Sequence, residues 1–220
     1  MVISIDWWIA ELKRLGAKDV DQYERKLRSF RSNERKIFEL IAEARAAKLF
    51  LTNGVGVTMQ DRPDLRLDFN GEIIYAEVKH QHEKEIDRRD EARMAAAGPY
   101  EFVQIGNVFD DEQQHGWQGM CATAIKKESQ YVEGSPNILV FVNHSNSIDL
   151  HLRSAVNEFD DAVRKGGAGS PLRKLGGMMM IGINQSVRYN PNNVEFGYTF
   201  YALKTINPYF VELINQGQIA

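Results

Sequence analysis

The chain has one cysteine and no excess of either charge, and both facts limit what it can do. A single cysteine, Cys121, excludes an internal disulfide framework and a zinc site built from several cysteines. It also fits a reducing compartment, so we expect a cytoplasmic protein. The formal net charge is −3 over 220 residues. No broad basic surface is therefore available for nucleic acid, and a site for a polyanion must be local or depend on a metal ion.

Long hydrophobic runs are also missing. No apolar stretch reaches the roughly eighteen residues of a membrane span, and no basic segment precedes the apolar N-terminal residues as in a signal peptide. With 43% hydrophobic and 26% charged residues, the composition is that of a globular domain. We predict one domain over 1–220, with a helical extension at 1–31, a core at 32–143, and a helix and added strands at 144–220.

The most informative stretch of the chain is a predicted hairpin at 64–79. Two segments that alternate with period two, 64–69 and 72–79, flank Asn70-Gly71, a dipeptide that tolerates positive φ and favours a tight turn. Alternation puts Glu77 and Lys79 on one strand face. The antiparallel neighbour can then bring Asp64 beside them.

These three side chains suit phosphodiester chemistry. Asp64 and Glu77 could hold a hard divalent cation through oxygen, while Lys79 could orient a water or stabilise charge on a phosphate. Asp68 lies on the same strand face but about 13 Å from Asp64, beside the turn and far from Glu77, so we choose Asp64. The alternative interpretation is a charged hairpin with a solvated face.

Pro63-Asp64 followed by Glu77-Val78-Lys79 resembles the motif of the PD-(D/E)xK nuclease superfamily. The resemblance covers about residues 31–143. It implies a restriction-endonuclease-like α-β-β-β-α-β core with a central mixed sheet. It also implies an acidic residue on the first helix and a polar residue, often Gln or Lys, on the second.

The acidic residue of the first helix is expected in the predicted helix 33–50. At 100° per residue, Glu39 points to solvent and Glu43 borders the apolar face. Glu43 also lies just upstream of the run Ala46 to Gly54, where the resembling family tends to carry its helical glutamate. We therefore predict that Glu43 is a third carboxylate beside the metal ion, with Glu34 as the alternative.

The polar residue of the second helix is expected in the predicted helix 119–132. Lys126, Lys127 and Gln130 are spaced so that one cation and one amide can face the same site. We rank Gln130 first and Lys127 second. By resemblance, Gln130 would hold the nucleic-acid backbone or a metal-bound water.

Other features are assigned structural roles. Trp7 and Trp8 are predicted to anchor the N-terminal helices on the domain. His80 and His82 are interpreted as surface residues at a strand end, since no His or Cys follows at metal-site spacing. Residues 80–102 are a candidate lid, 151–165 a predicted helix, and 177–184 and 196–203 a pair of added strands.

These features predict a Mg²⁺-dependent nuclease, with Mn²⁺ able to substitute and with Asp64, Glu77, Lys79 and Gln130 as catalytic residues. DNA is favoured as the substrate. An RNA-cleaving enzyme of the same fold is one alternative, because nothing in the chain reads a 2′-hydroxyl. A non-catalytic module that binds nucleic acid or protein is another, as is an interaction protein with Trp7 and Trp8 exposed. Cleavage of both strands of a duplex would favour a homodimer.

Overall fold

The computed structural model describes a mixed α/β domain, as predicted for the general class. The described residues are 4–81, 92–93, 96–98, 116–143, 157, 161, 165, 174–183, 196–202 and 206–216. The predicted lid at 80–102 and the predicted helix 151–165 fall largely outside them. Within those two segments, residues 92, 93, 96, 157, 161 and 165 are helical.

Three helices precede the sheet: α1 (Ile5–Arg14), α2 (Val20–Ser29) and α3 (Glu34–Thr52). The Ser4 hydroxyl accepts a hydrogen bond from the Trp7 amide and begins α1, and the Asn33 side chain accepts one from the Lys36 amide and begins α3. Each side-chain oxygen satisfies an amide that has no partner inside its helix. Helix α3 agrees with the predicted helix 33–50 to within two residues at each end, and α1 and α2 lie within the predicted helical extension 1–31.

Six strands form one mixed sheet in the spatial order of the chain. They are β1 (Gly56–Met59), β2 (Leu65–Phe69), β3 (Glu72–Gln81), β4 (Asn137–Asn143), β5 (Leu175–Ile183) and β6 (Phe196–Ala202). The first three strands are antiparallel, β3, β4 and β5 are parallel, and β6 returns antiparallel. The predicted C-terminal strand pair is confirmed as β5 and β6.

The connection from β3 back to the parallel strand β4 contains helix α4 (Gly116–Lys126), followed by a short 3-10 helix (Glu128–Gln130). We predicted one continuous helix over 119–132, so its end is wrong. After the 3-10 helix, the buried side chain of Asn137 accepts a hydrogen bond from the Val132 amide and donates to the carbonyls of Val132, Ser135 and Lys174. A single side chain thus fixes the turn between helix and strand.

The two faces of the sheet are covered differently. Ile74, Ala76 and Val78 of β3 point into the main core, which α1, α2 and α3 cover together with α5 (Pro208–Gln216). Helix α5 was not predicted. Its Phe210 packs against Phe50 and Phe69, which ties the end of the chain to the core. The opposite face of β3 carries Glu77 and Lys79, and Leu139, beside Glu77 on β4, is buried on that face.

The tryptophans of α1 do not share one environment. Trp7 is 48% exposed, whereas Ile9 and Leu12 on the same helix are buried. Trp8 is half-buried and lies edge-on to Trp7. The prediction that both tryptophans anchor the helical pair is therefore wrong for Trp7, because the apolar side chains that face the core are Ile9 and Leu12.

Candidate active site

The hairpin between β2 and β3 places Asp64 beside Glu77. Asn70 and Gly71 both have positive φ, at 53° and 84°, and this turn sets Leu65 opposite Ala76. Asp64, the residue before β2, therefore lies at the level of Glu77 and Val78. The Val78 amide donates a hydrogen bond of 2.8 Å to Asp64 Oδ2. This contact fixes the Asp64 carboxylate on the strand that carries the motif.

Lys79 links the two carboxylates. Its Nζ lies 2.7 Å from Glu77 Oε1 and 4.0 Å from Asp64 Oδ2. Glu77 is only 2% exposed and Asp64 only 6%. The three residues that the hairpin pattern predicted to converge are therefore brought together in a largely dehydrated position.

The Asp68 alternative is separated from this group by the length of β2. Asp68 pairs across the hairpin with Ile73, is exposed, and accepts a hydrogen bond from the Gly71 amide at 3.2 Å. Its carboxylate therefore stabilises the turn. The predicted register, in which Asp64 is the partner of Glu77, is confirmed.

A second lysine reaches Glu77 from the end of α4. Lys127 Nζ lies 3.1 Å from Glu77 Oε1, the same oxygen that Lys79 contacts. Lys126 is exposed. Gln130 is half-buried, and its Oε1 accepts no hydrogen bond from any described residue. The structure thus places Lys127, our second choice, in contact with Glu77, while the catalytic role of Gln130 stays a prediction.

Glu43 of α3 interacts through its charge with Asp64, Lys79 and Glu77. It is only 7% exposed, so a residue that the helical projection puts at the border of the apolar face lies inside the protein. Alanines 42, 44, 46 and 47 are also buried, and their small side chains let α3 pack closely on nearly all sides. The alternative, Glu34, is exposed in the first turn of the helix.

Lys26 of α2 is a charged neighbour that the sequence analysis missed. Its Nζ lies 3.7 Å from Glu43 Oε2 and 3.2 Å from Asp61 Oδ1. Nothing in the pattern of α2 distinguishes Lys26 from the other charged residues of that helix. Only the packing of α2 beside α3 and the loop before β2 brings its ammonium to Glu43.

Burial and mutual repulsion alter the acidity of the carboxylates. Burial, reinforced by the charge of Asp64, raises the pKa of Glu43 from 4.5 to about 8. Burial together with the charge of Glu77 raises the pKa of Asp64 from 3.8 to about 6. Both carboxylates are therefore harder to ionise than usual. A cation placed between them would stabilise their charged forms and lower both pKa values.

The two lysines that contact Glu77 have pKa values shifted in opposite directions. Burial acts to lower the pKa of Lys79, but the charges of Glu77 and Asp64 outweigh it, and the pKa rises above its usual value. Burial lowers the pKa of Lys127, and the neighbouring charge of Lys79 adds to the effect. Lys79 is thus the more firmly charged of the two.

The donor atoms of this group suit a hard divalent cation. Carboxylate oxygens are the ligands that Mg²⁺ prefers, and Mg²⁺ is commonly held by one or two carboxylates together with substrate phosphate oxygens. Glu77 Oε2 is buried and accepts no hydrogen bond from any described residue. Among those residues, no three His, Cys, Asp or Glu side chains form a complete metal cluster. Asp64 and Glu77 therefore fit a two-carboxylate site, and Glu43 as a ligand stays a prediction.

His80 is the one histidine among the described residues. It stacks on Phe38 with ring centroids 5.8 Å apart, and both of its ring nitrogens are buried, so the prediction of a surface residue is wrong for His80. His82 lies outside the described residues.

No helix in the described part of the chain is long and apolar enough to cross a bilayer.

Comparison of the chain with protein-family models, curated proteins and solved structures gives no significant match. Function is therefore inferred from the residues of this chain alone.

Proposed function

We propose that the protein is a metal-dependent nuclease that hydrolyses phosphodiester bonds, with DNA favoured over RNA as its substrate. The observation that carries the proposal is the contact of one lysine, Lys79, with two buried carboxylates, Asp64 and Glu77. Charged groups are costly to bury, so three of them at one point indicate a site with a chemical task.

The order of elements supports the same proposal. Helix α3, strands β1, β2 and β3, helix α4 and strand β4 follow one another as the resemblance to PD-(D/E)xK nucleases implies. In this arrangement Glu77 and Lys79 stand on a central strand, and α3 and α4 supply Glu43 and Lys127.

Each side chain has a distinct task in the proposed reaction. Asp64 and Glu77 would hold a divalent ion, with Glu43 as the predicted third carboxylate, and such an ion polarises the phosphate and makes bound water more acidic. Lys79, the more firmly charged lysine, orients the attacking water or offsets negative charge on the phosphate. Lys127 adds a second positive charge on the side of α4, where a phosphate backbone can approach.

The proposal is tested with purified protein and three substrates: circular single-stranded DNA, linear duplex DNA and RNA. Each is incubated with Mg²⁺, Mn²⁺ or EDTA. We expect cleavage with either metal and none in EDTA, and cleavage of the circle would identify an endonuclease. Asp64→Asn should be inactive, while the matched variant Asp68→Asn on the same strand should cleave like wild type. Absence of cleavage in Mn²⁺ on every substrate, with nucleic-acid binding unchanged by EDTA, would favour a binding module instead.

A further inference from the structure

Lys26 lies outside residues 31–143, which carry the family resemblance, yet its ammonium group reaches the acidic site. The Nζ atom lies between two carboxylates, 3.7 Å from Glu43 Oε2 and 3.2 Å from Asp61 Oδ1. These carboxylates differ in depth, because the Glu43 side chain is 9% exposed and that of Asp61 is 64% exposed. Lys26 thus connects the interior of the site with the protein surface.

The contact with Glu43 is electrostatic and not a fixed hydrogen bond. At 3.7 Å the ammonium is beyond ordinary hydrogen-bond distance, and Glu43 Oε2 accepts no hydrogen bond from any described residue. A buried carboxylate oxygen with no hydrogen bond can exchange one cation for another without breaking a directed bond at that atom. The shorter contact to Asp61 gives Lys26 a second partner at the surface.

We propose that Lys26 is a displaceable counterion of the acidic site. When Glu43 is ionised, this ammonium balances its charge until a divalent cation binds Asp64 and Glu77, with Glu43 as the predicted third carboxylate, and Asp61 then keeps the ammonium at the surface. This inference rests on the proposed metal-dependent function. It makes the N-terminal helical extension part of the site, with Lys26 as a positioning residue that acts through Glu43.

The physical reason is competition between like charges. An ammonium group and a divalent cation that share one carboxylate repel each other, most strongly where water is excluded. Removing the ammonium should therefore tighten metal binding. Removing Asp61 should weaken metal binding, because Lys26 then loses its alternative partner and stays on Glu43. The two substitutions have opposite expected signs, which general damage to the fold would not produce.

The experiment follows the melting temperature of the full chain during titration with MgCl₂, without nucleic acid, in an alkaline buffer that keeps the carboxylates ionised. We expect Lys26→Met to lower the apparent Kd about tenfold and Asp61→Asn to raise it by a comparable factor. Lys26→Arg should retain the wild-type value because it keeps the charge. The matched control is Lys36→Met, which removes a lysine 2.7 Å from Glu39 on α3 and should leave metal affinity unchanged.

A double-mutant cycle with Glu43→Gln tests whether Lys26 acts through Glu43. In that background both substitutions should lose their effect on metal affinity. Equal or weaker metal binding by Lys26→Met, or the same change in the Glu43→Gln background, would overturn the inference while leaving the nuclease proposal in place. Absence of any metal response in wild type and in every variant would overturn both. Asp61→Asn keeps the test decisive if Lys26→Met fails to fold, since Asp61 is exposed.

Discussion

Two glutamates of this protein, Glu11 on α1 and Glu43 on α3, each have a lysine within 4 Å but differ in acidity. Glu11 accepts hydrogen bonds from Arg14 Nε and a terminal guanidinium nitrogen of Arg14, at 2.8 and 3.0 Å, and lies 3.1 Å from Lys48. Hydrogen bonding to Arg14 lowers the pKa of Glu11 to about 2. Burial raises that of Glu43 to about 8.

The difference shows that the surroundings of an ion pair determine the pKa of its carboxylate more than the presence of a lysine nearby does. Glu11 accepts directed hydrogen bonds from Arg14 on the same helix and lies beside Lys48 on α3, and these cations stabilise its charged form. Glu43 is buried and lies near the carboxylate of Asp64, and both conditions disfavour its charge more than the ammonium of Lys26 favours it. A carboxylate kept in such a place is typical of a functional site and not of a stabilising surface network.

Substitutions in the buried charged group are expected to have their largest effect on the cleavage rate. Asp64→Asn, Glu77→Gln and Lys79→Ala should each reduce the cleavage rate on the order of 10² to 10³, because each removes a group that acts on charge in the transition state. Lys13→Ala, which removes a lysine of the surface network, is the control. A Lys79→Ala protein that keeps more than about a tenth of wild-type activity would contradict the role of that lysine.

The next effect concerns stability and pH. Glu43 and Asp64 have raised pKa values in the folded state, so the folded protein keeps protons that the unfolded chain releases. Their contribution to stability is present below about pH 4 and is lost as pH rises through about 6 and 8. In EDTA we expect Glu43→Gln to be more stable than wild type near pH 9, on the order of 3 kcal/mol.

Urea denaturation at several pH values measures this effect. Glu34→Gln is the matched control, because Glu34 is an exposed glutamate on the same helix, and it should follow the pH profile of wild type. An identical pH dependence in wild type and Glu43→Gln would show that Glu43 is not the group responsible.

A divalent metal should stabilise the folded protein by relieving the repulsion between carboxylates. At a Mg²⁺ concentration about 100 times Kd, the gain is about 2.7 kcal/mol, seen as a rise in melting temperature. Asp64→Asn should raise the melting temperature of the metal-free protein and abolish the response to metal. Calorimetry with and without Mg²⁺ measures both quantities, and an equal response in the variant would place the ion elsewhere.

A smaller effect is expected on nucleic-acid binding. Calcium should support binding without cleavage, because it fills oxygen sites. With few basic residues near the site, the slope of log affinity against log salt concentration should be about −2 to −4. Lys127→Ala should reduce the magnitude of that slope by about one, while the neighbouring Lys126→Ala should leave it nearly unchanged. Fluorescence anisotropy over a salt series measures the slopes.

The smallest effect is expected at the surface pairs. Lys13 contacts Asp21 and Glu24 at 2.7 and 3.3 Å, but Asp21 is 83% exposed. Because water and salt screen such pairs, Asp21→Asn should leave the melting temperature within error of wild type. A clear loss of stability would show that exposed pairs in this protein contribute more than their exposure indicates.

The sequence by itself determined the central part of the candidate site. Strand alternation and the Asn70-Gly71 turn are local properties, so they were sufficient to align Asp64 with Glu77 and Lys79. Helix α5 was missed, and the end of α4 was predicted wrongly, because the chain after Lys126 continues as a 3-10 helix that the apolar pattern did not indicate.

Only the tertiary structure decided which other charges join the hairpin. The burial of Glu43 follows from the packing of α3 on the sheet, and a helical projection assigns a direction to a side chain but not the depth at which it lies. Lys26 and Lys127 look like ordinary exposed lysines in sequence, yet helix packing brings their ammonium groups to Glu43 and Glu77. Local geometry is encoded in neighbouring residues, whereas the meeting of distant charges depends on how the elements pack.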